Sequence, residues 1–239
     1  MKYIAVIARW IFILCLPVFC LTASISWAVN SPWLYTSLFA KYDVAQSLAD
    51  NGVTVTKTDL NNISHGFVRY FDNGQKYIDL TVQVNGKSTP LFNEDEMIHF
   101  KDVKDLFRFD YLMLIITFAY AAVYAGFALF TRHGEYRPHL ARSSLAGGIL
   151  TLAVMTALGL AVVINFDGFW LLFHQIAFTN IFWSAEGNML LLFPDGFWFD
   201  MVSYCAFFAA GLAIIIIAIS GTWLFRHRSH RVKPVARLP

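Results

Sequence analysis

Charge is what this chain lacks most. Of its 239 residues only 14% are Asp, Glu, Lys or Arg, against about 25% in an ordinary soluble domain. A water-soluble globular protein is excluded on that ground. The net charge is +2, so there is no general basic field and no nucleic-acid partner is expected; basic residues matter by position instead. Cysteine is scarce as well. Cys15, Cys20 and Cys205 all fall inside apolar runs, where the residue acts as a small hydrophobe, and no disulfide framework can be read. A G-x-S-x-G elbow, a P-loop, an H-E-x-x-H helix and paired C-x-x-C sequences are missing. No enzyme serine, phosphate cradle or zinc site is therefore expected. His99, His174 and an outer carboxylate have no ligand spacing that would support a metal, and no cofactor is implied.

What is present is apolar and aromatic: 57% of residues are hydrophobic and 17% are Phe, Trp or Tyr. Runs near residues 10–29, 110–130, 145–166 and 201–225 are each long enough, at ~1.5 Å per helical residue, to cross ~30 Å of hydrocarbon. The first could be a cleaved signal peptide, with Ser24, Ser26 and Ala28 near its end. A retained anchor is expected, because the run exceeds the 7–15 residues usual for a signal core and Trp10 and Trp27 suit opposite interfaces. Lys2 and Arg9, the Arg132–Arg137–Arg142 cluster, and the tail with Arg226, Arg228, Arg231, Lys233 and Arg237 fall on one side of four spans. Cytoplasmic segments are the ones enriched in Lys and Arg, so both termini are expected in the cytoplasm.

The expected fold class is mainly α: a polytopic membrane protein with four transmembrane helices and a small extracytoplasmic α+β domain in the first loop. The expected order is a first transmembrane helix over 1–30, the extracytoplasmic domain over 31–108, and a second helix over 109–130. A basic cytoplasmic loop (131–144) and a third helix (145–166) follow. An outer-face interfacial or re-entrant segment (167–200), a fourth helix (201–225) and a basic cytoplasmic tail (226–239) complete the chain. Within 31–108, spacing predicts a helix over 35–50 ended by Asn51-Gly52. Strands are expected at 68–71 and 77–84, with turns at Asp72-Asn73-Gly74 and Asn85-Gly86. A capped, acidic helix start is expected at Asn93-Glu94-Asp95-Glu96.

Residues 166–201 join greasy sequence to Asp167, His174, Asn180, Glu186 and Asp195. A polar group held near hydrocarbon is costly and tends to persist for a functional reason. His174 is one candidate and His99, ahead of the second span, is another; imidazole titrates near pH 6.5, which suits proton transfer. The bland readings are a structural histidine within an aromatic belt and a helix-surface histidine, with His65 in a turn-like context. As a class, the chain could also be a non-catalytic membrane sensor or ligand-binding protein. A small transporter subunit would need ionisable groups at mid-span, which the runs almost entirely lack.

Three segments in order carry a resemblance: His99-Phe100-Lys101-Asp102-Val103-Lys104, then Phe173-His174-Gln175-Ile176-Ala177-Phe178-Thr179-Asn180, then Leu190-Leu191-Leu192-Phe193-Pro194-Asp195-Gly196-Phe197-Trp198. Together they resemble the bacterial lipoprotein intramolecular transacylase family, over almost the whole chain. The resemblance implies a cell-membrane acyltransferase that moves the sn-2 acyl chain of a diacylglyceryl-cysteine to that cysteine's own α-amine. Diacylated lipoproteins would be the substrates and membrane lipid the surroundings. It implies His174 and His99 as the catalytic pair at the outer face, with Asp102, Lys104 and Asn180 as substrate-binding or supporting positions. Residues 184–188 depart from the family's pattern, which there would be more acidic and proline-containing; this bears on loop-borne specificity.

Overall fold

A computed structural model describes residues 2–84, 87–131 and 135–229. The expected turn at Asn85-Gly86, Arg132, and tail residues Arg231, Lys233 and Arg237 lie outside the described residues. Four helices are long and apolar enough to cross a membrane: Tyr3–Val29, Glu94–Phe130, Arg137–Ile164 and Asp195–His227. They belong to α1 (Lys2–Val29), α5 (Glu94–Phe130), α6 (Arg137–Ile164) and α9 (Asp195–Ser229). The chain is a multi-pass membrane protein. Between α1 and α5 lie α2 (Pro32–Lys41), α3 (Val44–Asp50), α4 (Lys57–Asp72), β1 (Thr81–Val84) and β2 (Lys87–Pro90); between α6 and α9 lie α7 (Phe166–Ala177) and α8 (Asn188–Leu192).

Contacts divide the chain into two compact units. The first comprises the described residues of 1–23, 112–158 and 206–239. Its helices pack through small residues and ring contacts: Phe12 stacks on Tyr124 with centroids 4.4 Å apart, and Tyr120 Oη donates to the Ala8 carbonyl at 2.8 Å. Exposed Ile115, Phe118, Phe127, Ile149, Phe207 and Ile219 are tolerable only in contact with lipid.

Gly147 lets α6 approach α1 closely. A Cβ there would lie 2.5 Å from Leu16 Cδ1 and 3.2 Å from the Ile13 carbonyl. Gly147→Ala is expected to destabilise by about 1–3 kcal/mol through overpacking. Gly159→Ala, where nothing lies within 4 Å, is expected to stabilise by about 0.5–1 kcal/mol through helix propensity. Thermal unfolding of the two variants in one detergent checks the opposite signs.

The second unit comprises residues 24–111 and 159–205. Its core is aromatic and centres on fully buried Phe67, whose ring lies 5.2 Å from Phe100 and 5.1 Å from Phe193. Several expectations about this region need correction. The segment at 68–71 is helical, not a strand. Thr56 and Asp59 form a reciprocal capping box, and Leu60, Ile63, Phe67, Tyr70 and Phe71 bury one helical face of α4, so long-range burial outweighs local β-propensity. His65 accordingly sits on the exposed face of α4 rather than in a turn.

The strand content of the expected α+β domain is one two-stranded antiparallel pairing, Thr81 with Pro90 through Val84 with Lys87, so the strand expected over 77–84 covers only 81–84. Helices α2, α3 and α4 and irregular stretches such as 51–56 and 73–80 make up the described residues before it, and the core is shared with 159–205. The single helix expected over 35–50 is two, α2 and α3, broken where Asp43 takes a left-handed φ of 47°. The expected end at Asn51-Gly52 is present: Asn51 caps α3 and Gly52 has a φ of 85°.

The capped start at residues 93–96 and the second span form one continuous helix. At 37 residues and ~1.5 Å each, α5 far exceeds ~30 Å of hydrocarbon. Its first turns, rich in Asp, Glu and Lys, are the part that composition keeps out of it. Helix α9 likewise begins at Asp195, ahead of the expected 201.

Candidate active site

His99 lies in the second turn of α5, whose start is organised by Asn93 and Glu96. Asn93 Oδ1 accepts from Glu96 N at 2.9 Å, and a Glu96 carboxylate oxygen accepts from Asn93 N at 2.8 Å. His174 lies in the last turn of α7. That helix starts at Asn165, whose Oδ1 accepts from Gly168 N at 3.0 Å, and its 12 residues are too few to cross a membrane. The segment then turns through Phe178 and the Phe182–Ser184 3-10 turn into α8.

The two imidazoles, far apart in sequence, meet. Their centroids are 6.1 Å apart at an interplanar angle of 29°, and His99 and His174 are 7% and 6% exposed. Phe178 bridges them, 5.0 Å from one ring and 5.5 Å from the other. Trp170 and Trp183 flank His174 at 4.7 and 5.1 Å. Both imidazoles line a cavity of about 80 Å³ walled by Phe100, Trp170, Trp183 and Trp198. One water needs about 10–15 Å³ on such a measure, so the cavity has room for a small functional group beside the two rings.

Hydrogen bonding distinguishes the rings. His174 Nδ1 lies 2.8 Å from the Trp170 carbonyl oxygen. A carbonyl only accepts, so Nδ1 carries the proton and, in the neutral ring, Nε2 keeps its lone pair. Burial pushes this imidazole below the usual histidine range, with the Trp170 hydrogen bond opposing. His99 Nδ1 is buried and has no hydrogen-bond partner among the described residues. Such an atom carries a cost of about 1–3 kcal/mol.

Asp102 and Asn180 also come together: Asn180 Nδ2 donates to Asp102 Oδ2 at 2.6 Å, and Asn180 Oδ1 accepts from Phe182 N at 3.1 Å. The pair therefore ties α5 to the turn after α7. Asp102 is at i+3 from His99 on α5, but its carboxylate bonds Asn180 and Lys101 rather than that ring.

Lys104 is placed apart from the imidazoles. Its ammonium donates to Asn73 Oδ1 at 2.9 Å and the Gln75 carbonyl at 2.8 Å, and lies 4.1 Å from the Tyr70 ring centroid. Lys104→Met is expected to cost about 1 kcal/mol, because water reaches the exposed Gln75 when the ammonium goes. At this chain length that lowers Tm by about 2–4 °C. Differential scanning fluorimetry checks it.

Sequence reasoning missed the reach of Glu96 to the Met189 backbone. The Asn93–Glu96 spacing marked a helix start, but nothing in it pointed to a backbone partner near residue 189. Among the described residues, no group of three or more His, Cys, Asp or Glu side chains is arranged to hold a metal.

Fold and cavity together define a multi-pass membrane protein with a buried pair of imidazoles enclosed by aromatic side chains. The chain belongs to the lipoprotein intramolecular transacylase Lit family, whose profile matches residues 10–198. It is similar in fold to the in meso structure of the membrane integral lipoprotein intramolecular transacylase Lit from Bacillus cereus. That likeness has a TM-score of 0.79 at 17% identity, covering 96% of this chain and 100% of the other. Two variants of the same Bacillus cereus protein, each with one histidine substituted, both match with a TM-score of 0.74 at 18% identity. The match covers 96% of each chain for one variant, and 95% of this chain and 97% of the other chain for the second. No curated protein sequence matches the chain.

Proposed function

We propose that the protein transfers the sn-2 acyl chain of a lipoprotein's diacylglyceryl-cysteine to the α-amine of that same cysteine, by general acid and base catalysis from His174 and His99. The observation that carries this reading is the pairing of the two buried rings, 6.1 Å apart, in one aromatic cavity. Family membership supports acyl transfer on a lipoprotein. The substrate brings its own nucleophile, the α-amine, so the reading asks no nucleophile of the enzyme.

His174 is the base. Its Nδ1–H is tied to the Trp170 carbonyl, leaving the Nε2 lone pair to take a proton from the α-ammonium, whose reference pKa is about 7.7–8.0. The free amine attacks the ester carbonyl carbon, and the C–N bond forms. The tetrahedral oxyanion collapses and the bond to the sn-2 glyceryl oxygen breaks; the nitrogen gives up a second proton, so that of the ammonium's protons one stays on the amide, one ends on the glyceryl oxygen and one leaves to solvent. The products are an amide and a free glyceryl hydroxyl. His99, which lines the same cavity, supports the oxyanion or delivers the proton to the departing oxygen. Holding amine and ester together contributes about 7–11 kcal/mol in well-oriented cases. Asp102 and Asn180 support the site by fixing α5 against the turn that carries Phe178.

Acyl chains remain in lipid while ester and amine enter the small cavity. The reading puts the active site at the outer leaflet with both termini cytoplasmic, and the distribution of Lys and Arg supports it. An introduced cysteine on the exposed surface of residues 57–72 should label from outside intact cells with an impermeant maleimide; labelling only after lysis would reverse this orientation.

Because burial lowers the pKa of His174, its neutral, base-competent form persists below the usual ~6.5. The acid limb of kcat against pH is therefore expected to have its midpoint below 6.5. A limb at or above 6.5 would remove His174 from the base role.

Mass spectrometry of a lipoprotein's N-terminal peptide, with and without this protein, tests the whole reading in a host lacking other N-acylating enzymes. The expected product is an N-acylated lyso-form. A free amine on an intact diacylglyceryl-cysteine in both samples would sink it.

A further inference from the structure

Glu96 is 1% exposed, and among the described residues neither of its carboxylate oxygens meets a cation. One oxygen closes the capping box on Asn93 N at 2.8 Å. The other accepts from Met189 N, in the first turn of α8, at 2.5 Å. Two neighbouring bonds cross the same gap: Asn93 Nδ2 donates to the Glu186 carbonyl at 3.1 Å, and Asn188 Nδ2 donates to the Leu91 carbonyl at 2.7 Å. The fit is close enough that a Cβ on Gly187 would lie 2.4 Å from Glu96 Oε1.

Each side of this clamp leads to the cavity. His99 is three residues beyond Glu96 on α5. Met189, Leu190 and Phe193 follow the clamped backbone and line the cavity, and Trp183, 5.1 Å from the His174 ring, lies just before it.

We infer that Glu96 is a positioning residue: its carboxylate holds the start of α5, with His99, in register with the 183–193 segment that walls His174. This rests on the transacylase reading for its effect on turnover, but not for the clamp itself. Both backbone partners are N–H donors, so both oxygens must accept. Glutamine has the same shape yet offers one oxygen and one NH2, and it turns a donor towards a donor on one arm. A charged acceptor also bonds a backbone N–H more strongly than a neutral one.

The test compares Glu96→Gln with Thr56→Ala in the full chain, reconstituted in lipid. Thr56→Ala removes a capping box of the same kind at the start of α4, clear of the cavity. Both variants are expected to lower Tm. Only Glu96→Gln is expected to lower kcat, by tenfold or more with KM within twofold, because the rings lose alignment while the lipid-facing surface is unchanged. A kcat loss no greater than that of Thr56→Ala overturns the proposal.

Hydrogen–deuterium exchange supplies a readout independent of turnover. Amides of residues 186–192 should be protected in the wild type and lose protection in Glu96→Gln. Unchanged protection there overturns the clamp whatever the activity. Should the wild type transfer no acyl chain, the transacylase reading falls and the exchange result still decides the role of Glu96.

Discussion

His174→Ala is expected to lower kcat for N-acylation of a diacylglyceryl lipopeptide by about 10²–10⁴-fold, the usual contribution of a positioned general base. The size follows from the geometry. Nδ1 is committed to the Trp170 carbonyl, so Nε2 is the basic atom this ring presents, and the neutral form is already favoured by burial. Bulk hydroxide or buffer would have to replace it in a cavity of about 80 Å³. KM should change little, since binding would come chiefly from acyl chains and aromatic walls. Single-turnover mass spectrometry of the lipopeptide checks this: a loss below tenfold with the variant folded would remove His174 from the chemistry.

His99→Phe is expected to separate activity from stability. The ring packing against Phe178, at 5.0 Å, is kept, while the buried, unpartnered Nδ1 is replaced by a C–H. Relief of that unsatisfied atom is worth about 1–3 kcal/mol, and the cavity that His99 lines gives room for the one extra ring atom, which in a filled core would overpack. Tm should therefore hold or rise. Activity should fall about 10²–10³-fold, the scale for losing one group that stabilises a developing charge. Stability gained while function is lost is the pattern of a site that carries strain for its chemistry. A fall in both together would mark His99 as a packing residue.

The positioning role inferred for Glu96 and the pairing of Asp102 with Asn180 extend the same reasoning. Rings 6.1 Å apart can serve one substrate only if the elements carrying them are locked. Two tethers on α5, Glu96 to Met189 N and Asp102 to Asn180, lie on either side of His99 in sequence. Each reaches the segment that follows His174. Lys104, by contrast, spends its ammonium on Asn73 and Gln75 and stabilises the end of α4.

Composition by itself determined the membrane class and the four spans, because the cost of exposing long apolar runs to water is additive and local, and no tertiary contact is needed to read it. It also marked the polar first turns of α5 and the unusual histidine of α7, since a charged or polar group amid Phe and Trp stands out in one dimension. Only the tertiary structure decided that His99 and His174 share a cavity, that Lys104 does not, and that Glu96 reaches Met189. It also decided that residues 68–71 join a buried helical face. Each of these depends on burial against residues distant in the chain, where packing and desolvation outweigh the propensities of neighbours.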